Sequence, residues 1–316
     1  DGTFGVVAGT GTPDIADVPP GGVQATAHSF GRLFAVTSDH NGGYYVADSN
    51  RVLHVDPAGT LTLVAGGTWS TDPTIGLGGP ATASPLFEVR ALAIAPDGSL
   101  VLADSGQQAI KRIGLDGTIS LVAGTGVGGY NGDEIPATSA MVSGPSALAY
   151  DQQGRLWFVD RFNARVRMID ENGVIHTMVG TGVSGSDPDG LPGTQSRLVQ
   201  PYGLAFDGDT AVISDLGGNR LLRLRADGTL VTIAGNGSAN TDPATASPTG
   251  DPFTSAVTAP AGVVVLPSRT IVWTEGTTRW VRALPVAPTA ATSATVTGLP
   301  PDAPITRRFT SSALAM

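Results

Sequence analysis

The sequence predicts an all-β fold, a β-propeller of four-stranded antiparallel blades with five complete repeats, and three observations carry the prediction. First, an apolar run ending in Ala-Gly or a variant returns at Val6-Val7-Ala8-Gly9, Leu63-Val64-Ala65-Gly66, Leu121-Val122-Ala123-Gly124, Thr177-Met178-Val179-Gly180 and Thr232-Ile233-Ala234-Gly235. The period is about 56 residues, which marks a propeller, a solenoid or an array. Second, each period holds four β-favouring runs separated by turn chemistry. Third, two short turns in each period alternate with one connection of roughly 20 residues, longer than most loops of compact domains.

The third repeat shows the four strands most clearly. Ser146 to Tyr150 reads as strand a, Leu156 to Val159 as b, Arg165 to Ile169 as c and Val174 to Val179 as d. Gln153-Gly154 and Asn172-Gly173 supply its two hairpin turns. The other repeats turn at Asn41-Gly42, Asp97-Gly98, Asp116-Gly117 and Asp227-Gly228, residues that tolerate the positive φ of a tight hairpin. A four-stranded blade has two faces to bury, so blades packed radially around a channel are the natural solution. The short turns then share one rim, and the long d–a loops and b–c links share the other.

Composition agrees. The chain has 316 residues, with 43 Gly, 23 Pro, 41% apolar and 14% charged residues, which describes turn-rich folded β-structure rather than disorder. No stretch approaches the roughly 18 apolar residues of a membrane helix. With no cysteine, disulfides, thiolate metal sites and cysteine nucleophiles are excluded. The net charge is −9 and Lys111 is the only lysine, so the overall field repels phosphate backbones and nucleic acid is not an expected partner. The chain opens in mid-repeat at Asp1, which suits a removed leader and a piece of a longer polypeptide equally.

The repeat resembles the NHL-repeat propellers of bacterial secreted proteins and of the teneurin type. The residues that carry the resemblance are Gly79-Pro80-Ala81-Thr82-Ala83, Pro136-Ala137-Thr138-Ser139-Ala140, Pro201-Tyr202-Gly203-Leu204-Ala205, Tyr45-Val46-Ala47-Asp48 and Asn163-Ala164-Arg165-Val166. It covers residues 1–299, leaving 300–316 as a tail or the start of a linker. The resemblance implies the fold and an extracellular or cell-surface location. It implies no particular function, because one propeller fold serves many roles. Departures are the shortened link Asp48-Ser49-Asn50-Arg51 and the degenerate fifth repeat, with Thr274-Glu275-Gly276 in place of Ala-Asp.

The ends raise a question of closure. Phe4 to Ala8 reads as a d strand without its a, b and c strands, while the weak sixth copy, Ala294 to Gly298, is followed by too few residues for another blade. Five blades are expected, with Phe4 to Ala8 either beside Trp280 to Leu284 or on the edge of the last blade. The alternative is an incomplete sixth blade finished by missing sequence or by another chain, the latter through β-strand addition that would make the protein self-assemble.

Four groups of residues are candidates for function. The recurrent acids Asp48, Asp104, Asp160, Asp215 and Glu275 are expected to be structural, since they return once per blade. At the start of strand a, Arg32, Arg90, Ser146, Tyr202 and Ala261 vary while their neighbours do not. Arg32, Arg90, Ser146 and Tyr202 are therefore assigned to a ligand site at the channel mouth, where guanidinium groups suit a carboxylate or sulfate. Among the loop aromatics, Trp69, Tyr130 and Phe162 are assigned to contact with a protein or glycan partner. The loop acids Asp133, Asp187 and Asp189 are the candidates for calcium, although Asx turns account for them equally.

No Gly-x-Ser-x-Gly, His-Glu-x-x-His or P-loop pattern occurs, and His28 alone of the four histidines falls near the long-loop rim. The expected function is an extracellular, non-enzymatic binding or assembly module with no catalytic residue assigned. The alternative is a polysaccharide lyase or hydrolase acting at the channel mouth.

Overall fold

The computed structural model describes residues 5–12, 17–239, 251–276, 278 and 280–285. Blade I contains β1 (Val23–Gln24), β2 (Leu33–Ser38), β3 (Tyr44–Asp48), β4 (Arg51–Val55) and β5 (Thr60–Gly66). Blade II contains β6 (Val89–Ile94), β7 (Leu100–Asp104), β8 (Ala109–Ile113) and β9 (Ile119–Ala123). Blade III follows with β10 (Ile135–Pro136), β11 (Pro145–Tyr150), β12 (Leu156–Asp160), β13 (Arg165–Ile169) and β14 (Val174–Val179). Blade IV has β15 (Pro201–Asp207), β16 (Thr210–Asp215), β17 (Arg220–Leu224) and β18 (Leu230–Ala234), and blade V has β19 (Pro260–Val265), β20 (Ile271–Glu275) and β21 (Val281–Leu284). Each blade is an antiparallel meander from the innermost strand outward, and the protein is a five-bladed β-propeller. In blade III the predicted strands stand within one residue of those observed.

The core is the set of seams between blades. Val101, Ala103 and Ile110 of blade II meet Leu148, Phe158 and Ile175 of blade III, and Val159 and Val166 of blade III meet Ile213 and Leu222 of blade IV. Strands with both faces inside such seams need apolar residues at nearly every position, which is why Leu156–Asp160 is buried throughout.

The recurrent Ala-Gly has a local cause. In Gly66, Gly124, Gly180 and Gly235 the backbone has φ between +84° and +102°, and a Cβ would collide with the carbonyl oxygen of Asn50, Gln108, Ala164 or Asn219 in turn. Only glycine fits both requirements. The Pro-Ala-Thr segments form single 3₁₀ turns at Ala81–Ala83 and Ala137–Ser139. The Ala137 carbonyl accepts from Gly124 of blade II and its amide donates to Gly173 of blade III, so the turn staples two blades.

The long loops do not simply stand above the rim. Val23–Gln24 pairs with β5 and Ile135–Pro136 with β14, so part of each loop lies along the outer edge of its blade and covers unpaired backbone.

Consecutive inner strands pack in the order β2, β6, β11, β15, β19, and among the described residues β19 and β2 do not pack together in the same way. The apolar side chains facing that opening are solvated, with Leu33 55% and Val36 68% exposed on β2 and Val264 53% exposed on β19. Phe4 lies outside the described residues, and for residues 5–8 the expected closure is not what the structure holds. Residues 5–9 form no strand, and the Gly9 and Thr10 amides donate instead to Ala25 and His28 of the loop that follows. Local hydrogen bonds to that loop have taken the place of pairing with β21. The sixth copy at 294–298 and the tail 300–316 lie outside the described residues.

Candidate binding site at the channel mouth

Each innermost strand begins with a register shift. It falls between Leu33 and Ala35, Val89 and Ala91, Pro145 and Leu148, Pro201 and Gly203, and Pro260 and Val263. A bulge re-aims its extra residue. The residues so placed are Phe34, Arg90, Ser146, Tyr202 and Ala261. In blade I the position predicted for Arg32 therefore belongs to Phe34, because Leu33 rather than Gly31 pairs with Asp48. In the repeat with the shortened link, the bulge lies two residues beyond the predicted position.

Arg32 nevertheless joins the group. Its guanidinium lies 4.9 Å from the Phe34 ring centroid, and that of Arg90 lies 4.7 Å from the same ring. Arg90 donates to Glu88 at 2.6 Å and reaches the Tyr202 side chain two blades away. Burial works against the Arg90 charge, but Glu88 outweighs it and holds the pKa above its usual value. Arg161, in the 3₁₀ turn Arg161–Asn163 that links β12 and β13, stacks 4.9 Å from the Tyr202 ring and 5.0 Å from the Phe162 ring. Ser146 faces the neighbouring blade, its hydroxyl donating to the Tyr202 carbonyl at 2.9 Å.

The result is a row of alternating cations and rings across the mouth: Arg32, Phe34, Arg90, Tyr202, Arg161, Phe162. Burial pulls the Arg161 pKa below its usual value, and the nearby Arg90 charge adds to this against the opposing influence of Tyr202 and Glu88. The Nε–H groups of Arg90 and Arg161 are buried and meet no hydrogen-bond acceptor among the described residues. Sequence reasoning missed Phe34, Glu88 and Arg161. A signal for Arg161 existed, because the residue after the recurrent acid is Ser49, Ser105, Leu216 or Gly276 in the other blades.

The recurrent acids are structural, as expected. Asp104 accepts the amides of Phe87, Glu88 and Gln107. Asp160 accepts the Ser143 amide and the Asn163 side chain, while Asp215 accepts the Val199 and Gln200 amides. Each anchors the end of a long loop to its blade. Burial pushes the Asp160 carboxyl up to about 6, against the hydrogen bonds and the Arg167 charge that oppose it.

The loop residues divide. Trp69 is 70% exposed and stacks at 5.9 Å on Phe87, itself exposed, and Phe162 is 63% exposed. Tyr130 is tied down, with the Arg165 guanidinium 3.7 Å from its ring and its hydroxyl donating to Asp133. The acids proposed for calcium are engaged separately. Asp133 accepts from Arg167, Thr177 and Tyr130, Asp187 from the Arg197 backbone and side chain, and Asp189 from the Thr232 amide and hydroxyl. Burial opposes the Asp133 charge, yet those donors outweigh it and hold the pKa below the usual carboxylate range. Among the described residues, no group of three or more His, Asp or Glu is arranged to hold a metal. His28 is buried against Phe30 and Arg51 instead of facing the channel.

A family model described as the teneurin NHL domain matches residues 127–191. Human teneurin-1 is 28% identical over 220 residues, 64% of this chain and 7% of its own length. Human teneurin-4 is 32% identical over 145 residues, 40% of this chain and 5% of its own length. The matched stretch thus spans less than a tenth of these relatives. Among solved structures, virginiamycin B lyase from Staphylococcus aureus superposes with a TM-score of 0.53 at 13% identity, covering 86% of this chain and 71% of that one. A nidogen/laminin complex gives 0.54 at 14%, covering 80% and 76%. The sequence likeness bears out the NHL resemblance, and the structural likeness shows the propeller fold alone. Among the described residues no helix is long and apolar enough to cross a membrane.

Proposed function

We propose that this protein is an extracellular, non-enzymatic binding module that meets a protein partner with its long-loop rim. The observation that carries the reading is the exposure on that rim of Trp69 with Phe87, and of Phe162 on the b–c link of blade III. These rings are held on rigid supports: Phe87 rests against Gly106 and Phe162 against Gly144, both positions where a Cβ would meet the ring. Solvated aromatic anchors on a preorganised surface are what protein interfaces bury at their centres. Likeness to the teneurin NHL domain supports the same class of role and the extracellular placement.

The test is retention of the protein on a panel of purified extracellular proteins, with Trp69→Ala and Phe162→Ala as variants and Arg112→Gln on the opposite rim as control. At least one partner should bind, with affinity falling about tenfold or more in each aromatic variant and unchanged in the control. Retention on no member of the panel, or retention that both aromatic variants preserve, overturns the reading.

A further inference from the structure

The row of side chains across the channel mouth has a charge that its own neighbours do not balance. Arg32, Arg90 and Arg161 stand there with Glu88 as the single acid, among the described residues, bonded to any of them, in a chain whose net charge is −9. Arginines needed only for packing in so acidic a protein have carboxylates to spare, and elsewhere most take them, Arg165 donating to backbone carbonyls instead. Arg51 pairs with Asp48, Arg155 with Asp151, Arg197 with Asp187, Arg220 with Asp215 and Arg269 with Asp207. Arg161 instead is stacked between two rings, forms no ion pair among the described residues, and keeps a buried Nε–H without an acceptor. A partly desolvated guanidinium with donors to spare is poised to gain from a carboxylate, which takes two parallel N–H bonds.

We propose that the channel mouth is a binding site for a sugar acid, a ring bearing one carboxylate and several hydroxyls, received by Arg161 and Arg90. This goes beyond the rim contact with a protein and shares only Phe162 with it. Three features define the class. The guanidinium of Arg161 lies over the rings of Tyr202 and Phe162 at 4.9 and 5.0 Å, and its planar fork can meet a carboxylate with two parallel bonds. Phe162, 63% exposed, offers apolar ring surface against which the C–H face of a sugar ring can rest. Glu88, with a third of its side chain exposed, accepts from ligand hydroxyls, which a simple fatty acid does not offer. The overall acidity decides the remaining choice. A long polyanion would be repelled by the rest of the surface, whereas a single carboxylate on an otherwise neutral body meets only the local positive charge.

Calorimetric titration of the full chain with glucuronate, with glucose, and with a neutral oligosaccharide ending in glucuronate tests the site and distinguishes a free acid from a glycan terminus. Glucuronate, free or terminal, should bind, and glucose should bind about tenfold more weakly or not at all. Arg161→Gln and Arg90→Gln should each weaken glucuronate by about tenfold or more with an unchanged melting temperature, Arg161→Lys should lose less, and Arg112→Gln should lose nothing. Equal affinity for glucose and glucuronate, full affinity in Arg161→Gln, or tighter binding of a glutamate-rich peptide than of any sugar acid overturns the proposal.

Discussion

The wholly buried carboxylate of Asp160 accepts a hydrogen bond from the Ser143 amide at 2.6 Å, joining the end of the third long loop to the second strand of blade III. Burial raises this carboxyl to about 6, above the roughly 3.9 of an unfolded chain. The folded state therefore holds more protons between the two values, and this group makes stability fall as pH rises from about 4 to about 6. In Asp160→Asn that contribution disappears. Urea unfolding across the window should show the difference between wild type and variant changing with pH in that sense, whereas a flat difference contradicts the assignment.

Arg167 is buried among four acceptors, donating to the carbonyls of Met141 and Gly132 and to Asp133, with Asp160 3.6 Å away. Replacing it with Met takes the buried cation from two carboxylates and the donor from two carbonyls, at an expected cost of about 3–5 kcal/mol. Because Asp160 shares the network, Arg167→Met combined with Asp160→Asn should cost less than the sum of the single changes. Chemical denaturation of the four proteins in the cycle measures the coupling.

His176 clasps the loop that runs along blade III, one ring nitrogen 2.8 Å from Glu134 and the other 3.2 Å from Asp170. Burial lowers its pKa, but the two carboxylates outweigh burial and the net shift is upward. The stabilisation is thus complete below about 6.5 and is lost as pH rises through the higher folded value. Both partners are partly solvated, so the effect stays within ~1 kcal/mol. Amide exchange at Glu134, corrected for its intrinsic pH dependence, should accelerate across that range, and His176→Gln should remove the step.

Gly180→Ala should be costly for two reasons, its φ of +102° and the carbonyl oxygen of Ala164 where the Cβ would go. Gly228, at φ +81° with nothing within 4 Å of its Cβ position, carries only the first. Thermal or urea unfolding should show about 1 kcal/mol lost in Gly228→Ala and ~2–4 kcal/mol in Gly180→Ala. Equal losses would show that the close approach is not what demands glycine.

How far the fold was legible follows from how locally it is determined. The β-favouring runs of the third repeat, its Asn172-Gly173 turn and the Ala-Gly at each d strand state requirements that a few neighbouring residues impose, and five copies in register make the wheel plain. The recurrent acids were readable for the same reason, since each is bonded within its own blade and adjoining loop. The partners of the calcium candidates were not. Asp133, Asp187 and Asp189 look alike in sequence, and which donor each meets depends on the strand beside which its loop lies.

By itself the sequence determined the repeat, the strands, their turns and the acidic surface, because periodicity and turn chemistry act over a few residues. Only the tertiary structure decided that Phe34 rather than Arg32 fills the bulge of blade I, that Arg161 completes the row with Tyr202, and that residues 5–9 bond to their own loop. The row depends on which blades meet across the axis. Side chains from four blades converge there at separations in the chain that no local pattern encodes.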